Sequence, residues 1–191
     1  MKTSPGPESK PRLQIYTGDG KGKTTACVGL AVRAIGAGHR AAFIQFDKGY
    51  DGSNEHYAER FVLRMLPKLT LIPTGCERMR PDGTFRFSNE PADYAEAARG
   101  LAEARKAALS SDFDLLILDE AVTAAGLTGL IKEADLLALI AQWRKSGRCE
   151  LVLSGRGLTP ALAEAADLVT EMKKVKHYFD DGQTARRGIE Y

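Results

Sequence analysis

The sequence predicts an α/β fold in which a mostly parallel sheet is flanked by helices on both faces. Strand-like and helix-like patterns alternate along the chain, the order that builds parallel sheets through helical crossovers. Leu115-Leu116-Ile117-Leu118 is a continuous apolar run, as a strand covered on both faces requires. A turn rich in glycine and lysine separates the first strand pattern from the first helix pattern. Ligands on such sheets bind at the carboxyl ends of the strands, so chemistry is expected there. A chain of 191 residues is sized for about one domain with its own core.

The elements follow in order. Leu13 to Tyr16 is a short β-rich run. From Lys23 to Ala37 the spacing of Val28, Ala31, Val32 and Ile35 is helical, and Gly36 and Gly38 stop it. Ala41 to Phe46 reads as a second buried strand, residues 47–60 as polar and irregular, and Leu69 to Ile72 as a strand closed by Pro73. Residues 74–90 form a long loop rich in Gly, Pro, Asp and Asn, the kind that is functional or mobile in a compact domain. Pro91 to Leu109 is a strong helix that begins with proline and continues in Ala, Glu, Arg and Leu. Leu115 to Leu118 is the buried strand, and Glu133 to Lys145 is a helix stopped near Gly147. Glu150 to Leu153 is a strand, Pro160 to Ala166 a short helix and Leu168 to Met172 a last strand, followed by a polar, basic tail from Lys173.

Composition removes several classes of function. Lys and Arg number 27 against 25 Asp and Glu, a formal net charge of +2, too small an excess for a dedicated nucleic-acid binder. Apolar runs fall far short of the ~20 residues that cross a bilayer. Cys27, Cys76 and Cys149 are scattered without a CxxC pair, which argues against structural zinc and for a reducing, cytoplasmic setting. Residues 1–11 carry Pro5, Pro7 and Pro11 and have no apolar stretch of the secretory kind. They read as a flexible N-terminal tail, with a lid over bound ligand as the alternative. Residues 12–191 then form the single domain.

The chemical signal is Thr17-Gly18-Asp19-Gly20-Lys21-Gly22-Lys23-Thr24-Thr25, between a strand and a helix. It fits the phosphate-binding P-loop pattern G-x-x-x-x-G-K-[ST] except at its first position, where Thr17 stands for glycine. Glycines let backbone N–H groups turn inward around an anion, and the helix N-terminus adds positive potential. Lys23 is placed for the terminal phosphates, Lys21 is a second cation, and the Thr24 hydroxyl is placed for Mg²⁺. Asp119-Glu120 directly follows the apolar strand, where one acid is expected to hold the metal. Arg33 stands ten residues after Lys23 on the following helix; it either faces the phosphates or extends to solvent.

Together these residues resemble the ATP:corrinoid adenosyltransferases. That family carries a T-G-x-G-K-G-K-T-T loop, matched by Thr17 to Thr25. Ile44-Gln45-Phe46-Asp47-Lys48-Gly49 is similar to its QF-x-K-G segment, Leu118-Asp119-Glu120 to its L-D-E, and Leu153-Ser154-Gly155-Arg156-Gly157 to its L-[ST]-G-R. Ala166 to Met172, Lys176-His177 and Gly188-Ile189-Glu190-Tyr191 match its C-terminal stretch. The resemblance spans about residues 12–191.

The resemblance implies a RecA-like P-loop NTPase fold, a homodimer, and a transferase that uses ATP and Mg²⁺ or Mn²⁺. It implies transfer of the 5′-deoxyadenosyl group to Co(I) of a reduced corrinoid, with triphosphate released, in cobalamin biosynthesis or salvage. A flavoprotein is the expected reductant. Carried over by position, Gly18, Asp19, Gly20, Lys21, Gly22, Lys23, Thr24, Thr25 and Arg33 bind ATP, with Lys21 and Lys23 acting on the leaving triphosphate. Thr24 and Glu120 are the candidate metal ligands, with Asp119 behind them. Ser154-Gly155-Arg156 and Lys176-His177 either border the nucleotide or corrinoid or are a capped strand end and a solvated tail. One departure stands out. Where the family has Gly-Phe-x-Trp at the corrinoid, this chain reads Gly75-Cys76-Glu77-Arg78. Phe85, Phe87 or Tyr94 are possible substitutes. Arg78 is a candidate partner for corrinoid propionates, and Cys76 is either a cobalt ligand or just a small residue. Two other readings stay open: a P-loop kinase or hydrolase with Arg186-Arg187 as lid arginines, and a catalytically weak binder of ATP or corrinoid.

Overall fold

A computed structural model of the chain describes residues 10–49, 55–78, 80 and 85–191. The expected N-terminal tail lies outside the described residues as far as residue 9. Six strands form one sheet: β1 (Leu13–Thr17), β2 (Ala41–Gln45), β3 (Leu69–Pro73), β4 (Leu115–Asp119), β5 (Glu150–Ser154) and β6 (Leu168–Glu171). Their order is β3-β2-β4-β5-β1-β6, and every pairing is parallel. The mostly parallel sheet expected from the sequence is therefore wholly parallel.

Period-two burial explains why the central strands read as unbroken apolar runs. On one face Phe43, Leu115, Ile117 and Val152 pack with Cys27 and Ala31 of α1 (Lys23–Gly36). On the other face Ala42, Ile44, Leu116, Leu118, Leu151 and Leu153 meet Ala97, Leu101 and Ala104 of α3 (Pro91–Leu109) and Trp143 of α5 (Glu133–Ser146). Each helix begins and ends for local reasons. Pro91 opens α3, where Glu90 and Asp93 form a reciprocal capping box. α5 carries Glu133 and Asp135 in its first turn and Arg144 and Lys145 in its last, the favourable sense for its dipole, and ends on left-handed Gly147. Thr159 caps α6 (Pro160–Ala165) by accepting from the Leu162 N–H.

Three short elements were not expected. α2 (Glu59–Leu63) falls at the end of a stretch that reads as irregular, and α4 (Ala121–Gly126) directly follows β4. A 3₁₀ turn, Tyr178–Asp181, lies within the basic tail. All are one or two turns long, too short for a hydrophobic period to develop. No helix among the described residues is long and apolar enough to cross a membrane.

Candidate functional site

The glycine- and lysine-rich turn leaves the carboxyl end of β1 and enters α1 at Lys23. Thr17, the departure from the P-loop pattern, is still strand: it pairs in register with Glu171 of β6. The left-handed turn begins one residue later, at Gly18 with φ +95°, so no glycine is needed at position 17. Gly18 and Gly20 are needed for a second reason. The chain leaving β6 lies across the loop, with the Gly20 N–H donating to the Met172 carbonyl at 2.6 Å. A Cβ at Gly18 or Gly20 would stand 2.5 or 2.6 Å from that oxygen. Lys23 folds back onto the loop, its Nζ donating to the carbonyls of Gly18 at 2.7 Å and Gly20 at 2.8 Å. Burial, and then the nearby Arg156, pull its pKa below the ordinary lysine value.

The tip of β4 supplies a buried acid beside this loop. Asp119 is fully buried and accepts from Ser154 Oγ at 2.5 Å, Thr24 Oγ1 at 3.1 Å and Lys48 Nζ at 2.7 Å. Burial opposes its ionisation, but the Lys48 charge and the three donors outweigh that, and its carboxyl titrates below the ordinary aspartate range. The same carboxylate field holds Lys48 above the ordinary lysine value despite its burial. Glu120 takes a left-handed conformation at φ 62°. Its N–H donates to Ser154 Oγ at 3.1 Å, and Thr123 Oγ1 donates to its Oε2 at 2.5 Å. The turn in the chain thus sends two adjacent acids to different tasks, Asp119 inward as a strut and Glu120 to the cavity wall.

Two adjoining cavities of about 520 and 480 Å³ open on the loop, within the size range of small-molecule sites. Both are bordered by Lys21, Thr24, Thr25, Lys48, Tyr57, Ile189 and Glu190; Lys23, Glu120, Arg156 and His177 line the second. The C-terminal residues form the outer wall. Arg186 and Tyr178 fix the Glu190 carboxylate, and the Tyr191 ring stacks parallel on His56 at 4.2 Å.

Mg²⁺ suits this donor set. The Thr24 hydroxyl and the Glu120 carboxylate are hard oxygen donors, and Mg²⁺ takes one or two such protein ligands and completes its shell with phosphate and water. No group of three His, Cys, Asp or Glu side chains gathers among the described residues, as a softer metal would want.

Other expected positions are not brought to the loop. Arg33 is exposed in the last turn of α1, about 15 Å down the helix from Lys23 at 1.5 Å per residue. Arg78, the candidate partner for corrinoid propionates, is turned into the protein. Its guanidinium is buried, with four of its five N–H groups on Asp47 Oδ1 at 2.7 Å, Asn89 Oδ1 at 3.0 Å and the carbonyls of Ser88 at 3.2 Å and Arg86 at 3.4 Å. It ties Asp47 to Arg86, Ser88 and Asn89. Cys76 borders a void of only about 40 Å³ with Asp47, Gly49 and Phe85. Burial and then Asp93 push its thiol above the ordinary value, away from the thiolate that ligates metals. Phe85 and Phe87 keep exposed rings 5.0 Å apart in an edge arrangement, and Tyr94 is half exposed.

Sequence reasoning passed over Lys48 and Tyr57 as site residues. Both lie in the stretch 47–60 read as irregular, and Lys48, though part of the segment similar to QF-x-K-G, was given no site role. The missed helix α2 explains their placement. Its Arg60 is completely buried, donating to Gln45 Oε1 at 2.6 Å, Glu55 Oε1 at 3.0 Å and the Lys48 carbonyl at 2.5 Å. The available signal for Lys48 was its place in the segment similar to the family's QF-x-K-G, just past a buried strand.

The family model described as ATP:corrinoid adenosyltransferase BtuR/CobO/CobP matches residues 9–191. The chain belongs to this family. It is 31% identical to the corrinoid adenosyltransferase CobA of Salmonella typhimurium, over 96% of this chain and 87% of that one. It is 33% identical to the corrinoid adenosyltransferase of Pseudomonas aeruginosa, over 94% and 83%. Among solved structures it shares its fold with the flagellar accessory protein FlaH of Methanocaldococcus jannaschii, at a TM-score of 0.54 and 13% identity over 85% of this chain and 71% of that one. The P-loop fold and the ATP:corrinoid adenosyltransferase assignment expected from the sequence both stand, with ATP and a corrinoid as the family's substrates.

Proposed function

We propose that the chain moves the 5′-deoxyadenosyl group of ATP to Co(I) of a reduced corrinoid and releases triphosphate. The observation that carries this is the convergence of Lys21, Lys23, Thr24, Thr25 and Glu120 on two adjoining cavities large enough for a nucleotide and part of a second substrate. The electron pair of Co(I) forms the bond to C5′ as the C5′–O5′ bond breaks, and those electrons leave on the triphosphate oxygen. No proton is taken from the nucleophile, so no general base is required. The need is for positive potential where the leaving charge develops. Loop N–H groups from Gly18 to Thr25 and the α1 N-terminus supply part of it. Lys21 stands exposed at the cavity rim, free to close on phosphate. Lys23 exchanges its two loop carbonyls for phosphate oxygens. Thr24 and Glu120 would hold Mg²⁺, which neutralises triphosphate charge when bound.

Arg33 belongs to this reading only if the nucleotide extends along α1. Phe85 and Phe87 are better placed than Cys76 or Arg78 to meet a corrinoid face, because their rings are exposed. A flavoprotein reductant, a two-copy assembly and a role in cobalamin biosynthesis or salvage complete the proposal. The free thiols Cys27, Cys76 and Cys149 favour a reducing, cytoplasmic setting. The test is incubation with MgATP and chemically reduced corrinoid. Adenosylated corrinoid with triphosphate is expected. ADP with orthophosphate would mark a phosphoryl-transfer enzyme instead, and binding without turnover a non-catalytic relative.

A further inference from the structure

The buried cation at the end of β2 has no part in the chemistry so far. Lys48 is nine-tenths buried, yet it is one of the residues that line both cavities. Two of its three N–H groups are used, on Asp119 Oδ2 at 2.7 Å and on Thr24 Oγ1 at 2.9 Å. Beyond these, among the described residues, the ammonium faces the Tyr57 ring, whose centre is 5.2 Å away. Asp119 does not need it for hydrogen bonding, since the Ser154 and Thr24 hydroxyls already donate to both carboxylate oxygens. Asp119 answers the ammonium's charge without using all of its donors, so a third N–H group is left among the described residues to meet a ligand. The hydroxyl it touches belongs to the residue at the mouth of the phosphate loop.

We propose that Lys48 is a further polyphosphate-binding residue, a built-in cation that contacts the nucleotide's triphosphate directly beside Thr24. This rests on the phosphate placement proposed above. Asp119 and Thr24 hold the ammonium in place before ligand arrives, so little side-chain entropy is lost when it engages, unlike an exposed lysine. Arg60 fixes the backbone from which it projects, through the Lys48 carbonyl. The arrangement supplies part of the needed positive charge permanently. The chain should therefore retain affinity for a triphosphate when no divalent cation is present.

Calorimetric titration with inorganic tripolyphosphate, in EDTA and again with Mg²⁺, tests this. The unaltered chain is expected to bind in EDTA, and Lys48→Met to bind ten-fold or more weakly there, with a smaller loss when Mg²⁺ is present. Lys48→Met combined with Asp119→Asn removes both charges of the pair and leaves the buried site neutral, so it decides the matter even if the single variant fails to fold. A similar loss in the double variant supports direct contact. Undiminished affinity in the double variant overturns it and leaves Lys48 as the counter-ion of Asp119 alone. Lys23→Ala is the control on the underlying reading. If it binds as tightly as the unaltered chain, or if the unaltered chain does not bind at all, the phosphate placement falls and Lys48's role with it.

Discussion

The carboxyl edge of the sheet carries two charge-rich regions that do opposite things. Around β1 and β4, Lys21, Lys23, Glu120 and Arg156 border cavities of about 520 and 480 Å³. Around β2 and β3, the charges close on one another. Arg78 pairs with Asp47 at 2.7 Å and Arg86 with Asp93 at 2.5 Å, and the void left is about 40 Å³. A Cβ on Gly49 would stand 1.9 Å from the Cys76 carbonyl carbon, so the turn after β2 lies flat against the start of the 74–90 loop. The lesson is that a charged residue announces nothing about its use. Glycine-driven backbone turns leave the first group facing open space, whereas side-chain partners already present consume the second.

That contrast is most exposed to Lys23→Ala. Removing the loop cation should lower kcat/KM by about 10²- to 10³-fold, the scale for loss of one preorganised charge-stabilising group, and leave thermal stability nearly unchanged. Steady-state kinetics with reduced corrinoid checks it, and near-normal kinetics would move the phosphates elsewhere. In the closed region the order of effects should reverse. Arg78→Ala should cost about 2 kcal/mol of stability by leaving the partly buried Asp47 carboxylate and the Arg86 and Ser88 carbonyls without their donor, measured by denaturant unfolding. Arg78→Trp, which restores the family's aromatic, should destabilise similarly rather than improve activity. A stable Trp variant with raised turnover would show that the staple is dispensable.

A smaller effect is expected at the outer wall. Deleting Gly188–Tyr191 removes the Tyr191–His56 stack and the Glu190 clamp. It should raise the KM for one substrate about ten-fold, roughly 1.4 kcal/mol, with the fold intact by circular dichroism. An unchanged KM for both substrates would make the tail a bystander. The smallest effect concerns pH. Lys23 titrates below the ordinary lysine value of 10.5 through burial and then Arg156. A bound phosphate favours the ammonium and raises that pKa, so binding takes up protons at alkaline pH. Triphosphate affinity should fall as pH rises through the free-state pKa, earlier than for an exposed lysine. A titration series above neutrality that stays flat would remove Lys23 from the phosphate contacts.

The alternation of patterns and the apolar run of β4 determined the parallel sheet, because helices and buried strands impose different periods on the same chain. The glycine- and lysine-rich loop was equally legible, since Gly18, Gly22 and Lys23 set backbone shape and position within a local stretch. Other features depended on residues distant in sequence meeting in space. Met172 lies over Gly18 and Gly20, Ser154 and Lys48 reach Asp119 from β5 and from the turn after β2, and Arg60 fixes that turn from a helix too short to leave a period. Only the tertiary structure decided that Arg78 is a staple and Lys48 a cation at the site. The use of a charge is set by the partners that surround it, and local sequence does not name those partners.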